Sequence, residues 1–156
     1  MTPGSARAGR YVLLLDLRLS VLLSTRSGRT FDLRSGTYAY VGSAAGPGGV
    51  AARLGRYLRP LRRPHWHIDY LLAVADPFCA LCFGITVTEC RLATAFGRLD
   101  QASPVDGFGC TDCRCPTHLF RLKAFAGPSR LLADLVDQDA ALRQAFAAQL
   151  QLTPSC

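Results

Sequence analysis

The chain has 156 residues, of which 49% are hydrophobic and 19% charged, and its formal net charge is +7. This length suits one domain with a buried core, and the hydrophobic content excludes a disordered chain. No run of about 18 uncharged apolar residues occurs, which excludes a membrane helix. Segment 11–23 does not read as a signal peptide, because Asp16 and Arg18 interrupt it and no small-residue cleavage site follows.

The first part of the chain is predicted to form a β meander after a flexible arm of mostly small residues at 1–8. Strands are predicted at 11–17, 21–25, 31–33 and 37–43 from their apolar, β-branched and aromatic content. A loop rich in Gly at 44–49 ends the last of these strands.

A helix is predicted to follow this loop, with one apolar face. The residues on that face are Val50, Leu54, Tyr57, Leu58 and Leu61. On the same helical wheel Arg56 and Arg59 point away from the core. Arg53 lies at the edge of the apolar face, about 85° from its centre. It is therefore the arginine best placed to be half-buried.

The second part of the chain alternates helices and strands. Helices are predicted from residue 65, over 89–99 with Thr88 as N-cap, and as one or two helices within 129–150. Strands are predicted at 78–87 and 118–125, with a loop dense in Gly and Cys at 107–116. This order predicts a single α+β domain over 9–156, with a small mixed or antiparallel sheet flanked by helices.

Basic side chains are concentrated in the first part of the chain. Residues 1–63 contain 11 arginines and 2 aspartates, whereas residues 64–156 contain 7 basic and 9 acidic side chains. This asymmetry indicates a polyanionic partner such as nucleic acid, with a merely basic surface as the alternative.

Two features are typical of a binding or catalytic site. Tyr38 and Tyr40 lie on one face of a predicted strand, and Gly42 would let a ligand approach the backbone. The alternative is a strand with two aromatic core residues.

Glu89 is the only glutamate in the chain and opens a predicted helix. Capping explains a carboxylate there, but its rarity in this chain suggests that the longer carboxylate arm is needed.

The cysteines give a candidate metal site. Their number, seven, is odd, and without an export signal this predicts a reducing, cytoplasmic location. One loop has the spacing C-x2-C-x-C-x2-H, formed by Cys110, Cys113, Cys115 and His118. These soft ligands could hold a structural zinc ion, and the alternative is a structured loop with buried thiols. Cys79 and Cys82 are predicted to lie in the core.

Several of these segments together resemble a known family of nucleases. The stretches that carry the resemblance are 9–11, 38–44, 65–70, 89–90, 107–115 and 118–120. They are similar to the GIY-YIG nuclease superfamily and, within it, to the branch described as Uri-type endonucleases or the DUF123 domain. The resemblance covers residues 9–125. It implies a small sheet flanked by helices that cuts nucleic-acid phosphodiesters with one divalent metal.

Carried over by position, the resemblance implies a set of catalytic residues. They are Tyr11, Tyr40, Arg53, His67 and Glu89. Glu89 would hold Mg²⁺ or Mn²⁺, and Arg53 would bind the phosphate. A tyrosine would orient or deprotonate the water, with His67 as the alternative base. His65 is the alternative to His67 for the histidine of some relatives.

The spacing of the two motif tyrosines departs from the superfamily. Tyr11 and Tyr40 lie 29 positions apart, farther than is typical, and the excess is interpreted as an inserted β-hairpin over 21–33. If this insertion moves the first strand, Tyr38 would replace Tyr11.

The expected function is a divalent-metal-dependent endonuclease acting on DNA, with RNA as a further candidate. Four arginines would hold the flanking backbone: Arg56, Arg59, Arg62 and Arg63. The alternative from another class is a non-catalytic nucleic-acid-binding module stabilised by zinc. No separate DNA-binding domain and no membrane partner are expected.

Overall fold

A computed structural model of the chain describes residues 7–60 and 63–152. Its strands are β1 (Gly9–Leu17), β2 (Val21–Ser24), β3 (Thr30–Leu33), β4 (Gly36–Ala44), β5 (Asp76–Phe83), β6 (Ala102–Pro104), β7 (Leu119–Leu122) and β8 (Phe146–Gln151). Its helices are α1 (Gly49–Tyr57), α2 (His67–Leu72), α3 (Glu89–Gly97), α4 (Pro128–Gln138) and α5 (Ala141–Ala145). Most of the predicted N-terminal arm, Leu61 and Arg62 lie outside the described residues.

Six strands form one antiparallel sheet in the order β6-β7-β4-β1-β5-β8. Strand β1 lies between β4 and β5, and its continuous apolar run fits a strand whose two faces are both covered by other elements. β2 and β3 pair separately as a two-stranded hairpin, which confirms the predicted hairpin. Its interpretation as an insertion stays a prediction. The predicted α+β class is confirmed.

Two hydrophobic layers cover the two faces of the sheet. One contains Val12, Leu14 and Val41 with residues of α3, α4 and α5. The other contains Tyr11, Leu13 and Tyr38 with residues of α1, α2 and the hairpin. Alternate residues of β1 therefore enter opposite layers, as the pleat of a strand requires.

The chain end differs from the prediction of helices up to residue 150. Helix α5 ends at Ala145, and the following residues pair with β5 as the edge strand β8. Residues 146–151 alternate between partly buried and exposed positions, which is the pattern of a strand. Their Ala and Gln content favours a helix instead. Tertiary pairing overrides the weak local preference here. Strand β5 also ends earlier than predicted, at Phe83 before Gly84.

Within residues 7–60 and 63–152, every helix is too short or too polar to span a bilayer.

Candidate functional site

Five predicted catalytic side chains line one cleft of about 300 Å³. The elements that supply them are β1 (Tyr11), β4 (Tyr40), α1 (Arg53), α2 (His67) and α3 (Glu89). The cleft lies where β4 ends and β1 begins. The fold therefore brings together residues that span 79 positions of sequence, while their catalytic roles remain predictions.

Tyr11 enters the cleft because its neighbour on β4 is a glycine. Tyr11 is paired with Gly42 across the two strands, so their side-chain positions share one face of the sheet. A Cβ on Gly42 would collide with the Tyr11 hydroxyl and with its ring carbons, Cζ at 2.5 Å and Cε2 at 2.9 Å. The Tyr11 hydroxyl instead meets the Tyr57 hydroxyl on α1 at 2.5 Å.

The tyrosines of the cleft are held in the protonated form. Burial raises the pKa of Tyr11 well above its usual value, and the adjacent Tyr57 and Tyr40 raise it further. Burial likewise raises the pKa of Tyr40, reinforced by Tyr57 and Glu89 and opposed by Arg53. As a hydroxyl group, Tyr40 can donate a hydrogen bond to an anion. So can either Tyr11 or Tyr57, because the other hydroxyl donates in their mutual hydrogen bond. Tyr38 does not line this cleft, and its hydroxyl donates to the Arg34 carbonyl at 2.6 Å.

Arg53 is half-buried at the cleft, as its position on the helical wheel predicts. Its guanidinium carbon lies 4.5 Å from the centre of the Trp66 ring. Among the described residues, no carboxylate forms an ion pair with Arg53. An oriented guanidinium without a protein counter-ion is suited to bind an anionic ligand.

Arg56, which the helical wheel predicts to point away from the core, nevertheless contacts a buried group. It forms two hydrogen bonds with the buried carboxylate of Asp69, at 2.8 and 3.0 Å, and its guanidinium lies 4.6 Å from the Trp66 ring centre. The wheel angle is misleading because α2 packs beside α1 and places Asp69 next to this side of the helix. Arg56 is therefore an internal ion-pair partner rather than a free cation for a nucleic-acid backbone.

Besides pairing with Arg56, Asp69 holds the backbone at the start of α2. Its Oδ2 accepts hydrogen bonds from the backbone N–H groups of His65 and Trp66 at 2.8 and 3.0 Å. Burial raises the pKa of Asp69, but these hydrogen bonds and those from Arg56 outweigh it, and the net pKa is lowered. Sequence reasoning did not single out Asp69, and its only signal was a lone acidic residue in a basic, aromatic segment.

His67 has a defined hydrogen-bond role. Its Nδ1 accepts from the backbone N–H of Gly109 at 2.9 Å. Gly109 has φ +73°, a left-handed conformation that glycine adopts without strain. Burial lowers the pKa of His67, and Arg29 lowers it further, so the neutral ring presents Nε2–H as a donor. His65 also lines the cleft but is exposed.

Glu89 is the first residue of α3, after the predicted N-cap Thr88, whose hydroxyl accepts from the N–H of Arg91 at 3.0 Å. Its Oε2 lies 3.3 Å from Nδ1 of His118. That distance is typical of an ion pair. The buried Nδ1 has no hydrogen-bond partner among the described residues. The proximity of His118 lowers the pKa of Glu89 against the opposing effect of burial.

Four metal-binding side chains gather beside Glu89. They are Cys90, Cys113, Cys115 and His118, and their ligand atoms all lie within 4.8 Å of one another. We call this group the Cys3His cluster. Around one zinc ion, sulfur atoms bound at about 2.3 Å would be about 3.8 Å apart in a tetrahedron. The spacing therefore suits a metal ion, which the cluster could hold.

Cys110, which the loop spacing predicts as the fourth ligand, lies outside this cluster, and Cys90 takes its place. The Cys110 thiol turns aside and donates to the carbonyl of Pro116 at 3.6 Å. Cys90 approaches because α3 begins next to the loop that carries Cys113 and Cys115. Sequence spacing along one loop could not reveal a ligand contributed by a separate helix. Cys79 and Cys82 are buried, as predicted.

The other predicted nucleic-acid contacts have different settings. Arg59 and Arg63 are exposed, whereas Arg62 lies outside the described residues.

Tyr57 and Trp66 were not predicted as site residues, although both line the cleft. The helical pattern predicts Tyr57 on the core face, and its ring does lie there. Periodicity cannot show that the Tyr57 hydroxyl reaches the cleft at the edge of the core.

Comparison with known proteins gives a family. No curated protein and no solved structure has a significant match to the chain. A family model does match, over residues 10–140. This range contains the whole cleft and the Cys3His cluster. The chain belongs to the family described as domain of unknown function DUF123.

Proposed function

We propose that this protein is a divalent-metal-dependent endonuclease of GIY-YIG type that hydrolyses phosphodiester bonds in nucleic acid, DNA before RNA. The observation that carries the proposal is the convergence of Arg53, Glu89 and three tyrosine hydroxyls in one cleft. An anion-binding guanidinium, a carboxylate and neutral donors are the groups that phosphodiester cleavage needs around its phosphate.

Arg53 is proposed to bind the scissile phosphate. It is oriented by the Trp66 ring and free of carboxylate partners in the described parts of the chain. Its planar donor fork matches two phosphate oxygens. Arg56 supports this arrangement indirectly, because its pair with Asp69 holds α2 and Trp66 against α1.

Glu89 is proposed to hold the divalent ion, Mg²⁺ or Mn²⁺. Its carboxylate lines the open cleft and its lowered pKa keeps it ionised. A single carboxylate fits this ion class, because Mg²⁺ commonly uses one or two carboxylates and completes its shell with water and phosphate oxygens. When bound, the ion supplies charge neutralisation for the phosphate and the leaving oxygen.

Tyr40 and Tyr11 are proposed to orient the water and the phosphate rather than to remove a proton. Their raised pKa values make a tyrosinate unfavourable, and a neutral hydroxyl donates well to an oxyanion. His67 contributes a donor of the same kind through Nε2–H, since its Nδ1 is occupied by Gly109. The cleft thus favours an electrostatic mechanism over side-chain base catalysis.

We assign a structural zinc ion to the Cys3His cluster, because three thiols and an imidazole are soft ligands that prefer zinc to Mg²⁺. Cys90→Ala should lower the zinc content of purified protein well below one per chain. The matched variant Cys110→Ala should retain a full equivalent, because that thiol bonds Pro116 instead. Equal zinc loss in both variants would contradict the ligand set.

The endonuclease proposal is tested by nicking of supercoiled plasmid and of branched and single-stranded DNA with Mg²⁺ or Mn²⁺. Glu89→Gln should abolish cleavage, whereas Asp137→Asn, which removes an exposed carboxylate on α4, should not change it. Nicking by Glu89→Gln at the wild-type rate would refute the proposal. DNA binding that survives both EDTA and Glu89→Gln, without cleavage, would favour the non-catalytic binding module.

A further inference from the structure

His118 stands between the Cys3His cluster and the cleft. Its Nε2 lies 3.4 Å from the Cys113 sulfur, so this nitrogen faces the thiols. Its Nδ1 faces the other way, 3.3 Å from Oε2 of Glu89. The side chain is buried, and Nδ1 forms no hydrogen bond within the described residues, so Glu89 is its nearest charged neighbour there. One imidazole therefore touches both the candidate zinc ligands and the candidate Mg²⁺ ligand.

A second connection runs through the backbone. Glu89 and Cys90 are consecutive residues in the first turn of α3, so a metal bound by the Cys90 thiol also restrains the backbone that carries Glu89. The carboxylate is thus held on one side by its own helix turn and on the other by His118.

We infer that the Cys3His metal ion positions Glu89 through His118, whose Nε2 binds the metal and whose Nδ1–H faces the carboxylate. Metal at Nε2 forces the proton onto Nδ1, which is the tautomer that can donate to Glu89. A ligating histidine whose other nitrogen is held by a carboxylate is a recurrent arrangement, and the carboxylate increases metal affinity. The inference rests on the proposed zinc site and not on nuclease activity.

The coupling has a consequence that can be measured without cleavage. If Glu89 supports His118, then Glu89→Gln should weaken zinc binding about 10-fold or more, in the range found for such supporting groups. Competition with a chromophoric chelator gives this affinity. Asp112→Asn is the matched control, because this exposed carboxylate lies beside the same cluster. Its effect should stay within about threefold, as exposed charges contribute little.

Nitrogen-15 imidazole spectra of wild-type protein provide a second test that needs no variant. The chain has three histidines, so their signals can be assigned. In zinc-loaded protein, His118 should carry its proton on Nδ1, whereas His67 should show the opposite tautomer because its Nδ1 accepts from Gly109.

The outcomes distinguish the proposed zinc site from the positioning of Glu89 by that zinc ion. Unchanged zinc affinity in Glu89→Gln, or zinc bound through Nδ1 of His118, would overturn the positioning role while leaving the zinc site intact. Failure of the wild-type protein to bind zinc at all would overturn both. Weakened zinc binding together with the Nδ1–H tautomer would support the coupling even if the protein cleaves no DNA.

Discussion

The hydroxyl oxygens of Tyr11 and Tyr57 lie 2.5 Å apart, joining β1 to α1 inside the cleft. Both rings are buried and meet edge to face, with centroids 6.0 Å apart. The contact links the central strand of the sheet to the helix that carries Arg53. A change in either hydroxyl should therefore affect stability and the arrangement of the cleft together.

A double-mutant cycle on this pair should reveal coupling. Tyr11→Phe and Tyr57→Phe should each lower the free energy of unfolding by about 1–2 kcal/mol, because each leaves a buried hydroxyl without its partner. The double variant should lose less than the sum of the two. Urea denaturation measures all three. Tyr38→Phe, whose hydroxyl bonds Arg34, is the control and should be additive with Tyr11→Phe. Additivity of the Tyr11 and Tyr57 changes would refute the predicted coupling.

Gly42 should tolerate no side chain. Gly42→Ala places a Cβ against the Tyr11 hydroxyl and ring, so the ring must move, and we expect a loss of about 1–3 kcal/mol from overpacking. Gly55→Ala in α1 is the matched control. Its Cβ would have no neighbour within 4 Å, and helix propensity favours alanine by about 1 kcal/mol. Thermal unfolding should thus shift in opposite directions for the two variants. A neutral Gly42→Ala would mean that Tyr11 is not fixed as described.

The sequence was sufficient to predict most of the elements because their signals are local. The strand pattern around Tyr11, the apolar face of α1 and the Thr88 cap each depend on neighbouring residues. Strand β8 was missed because its partner β5 lies more than 60 positions away, and its composition favours a helix. Local patterns carry no information about such a distant partner.

In the candidate site, too, some features could be predicted from the sequence and others depend on contacts between distant elements. A resemblance could select Tyr40, Arg53 and Glu89, since motifs preserve residue type and order. The contacts between separate elements could not be obtained from it. The pair of Arg56 with Asp69 joins two helices, and Cys90 enters the metal cluster from a helix rather than from the cysteine loop. Tertiary packing decides both.

Acid should remove the stabilisation that Asp69 provides. Its pKa is lowered in the folded protein, so its contribution is complete above the unfolded value near 3.9 and is lost as the pH falls through the lower folded value. Asp69→Asn should therefore be least stable relative to wild type at neutral pH, with the difference narrowing below about pH 4. Denaturation across pH 2–7 tests this, with Asp137→Asn as the control. A constant difference over that range would exclude the linkage.

Salt dependence should identify the arginines that face nucleic acid. Arg59 and Arg63 are exposed and follow α1, the helix that packs on the cleft side of the sheet. Each phosphate contact contributes about 0.9 to the slope of log affinity against log salt concentration. Arg59→Ala with Arg63→Ala should therefore reduce that slope by about 1–2 and weaken binding equally for unrelated sequences.

The matched control for this measurement is Arg143→Ala, on α5 across the sheet. It removes one exposed positive charge without touching the cleft side, so its slope should equal that of the wild type. Arg56→Met provides a contrast of a different kind. It should lower stability, because it leaves the buried Asp69 without its main partner, but should change the slope little. An unchanged slope in the Arg59 and Arg63 double variant would mean that the DNA backbone does not contact these two arginines.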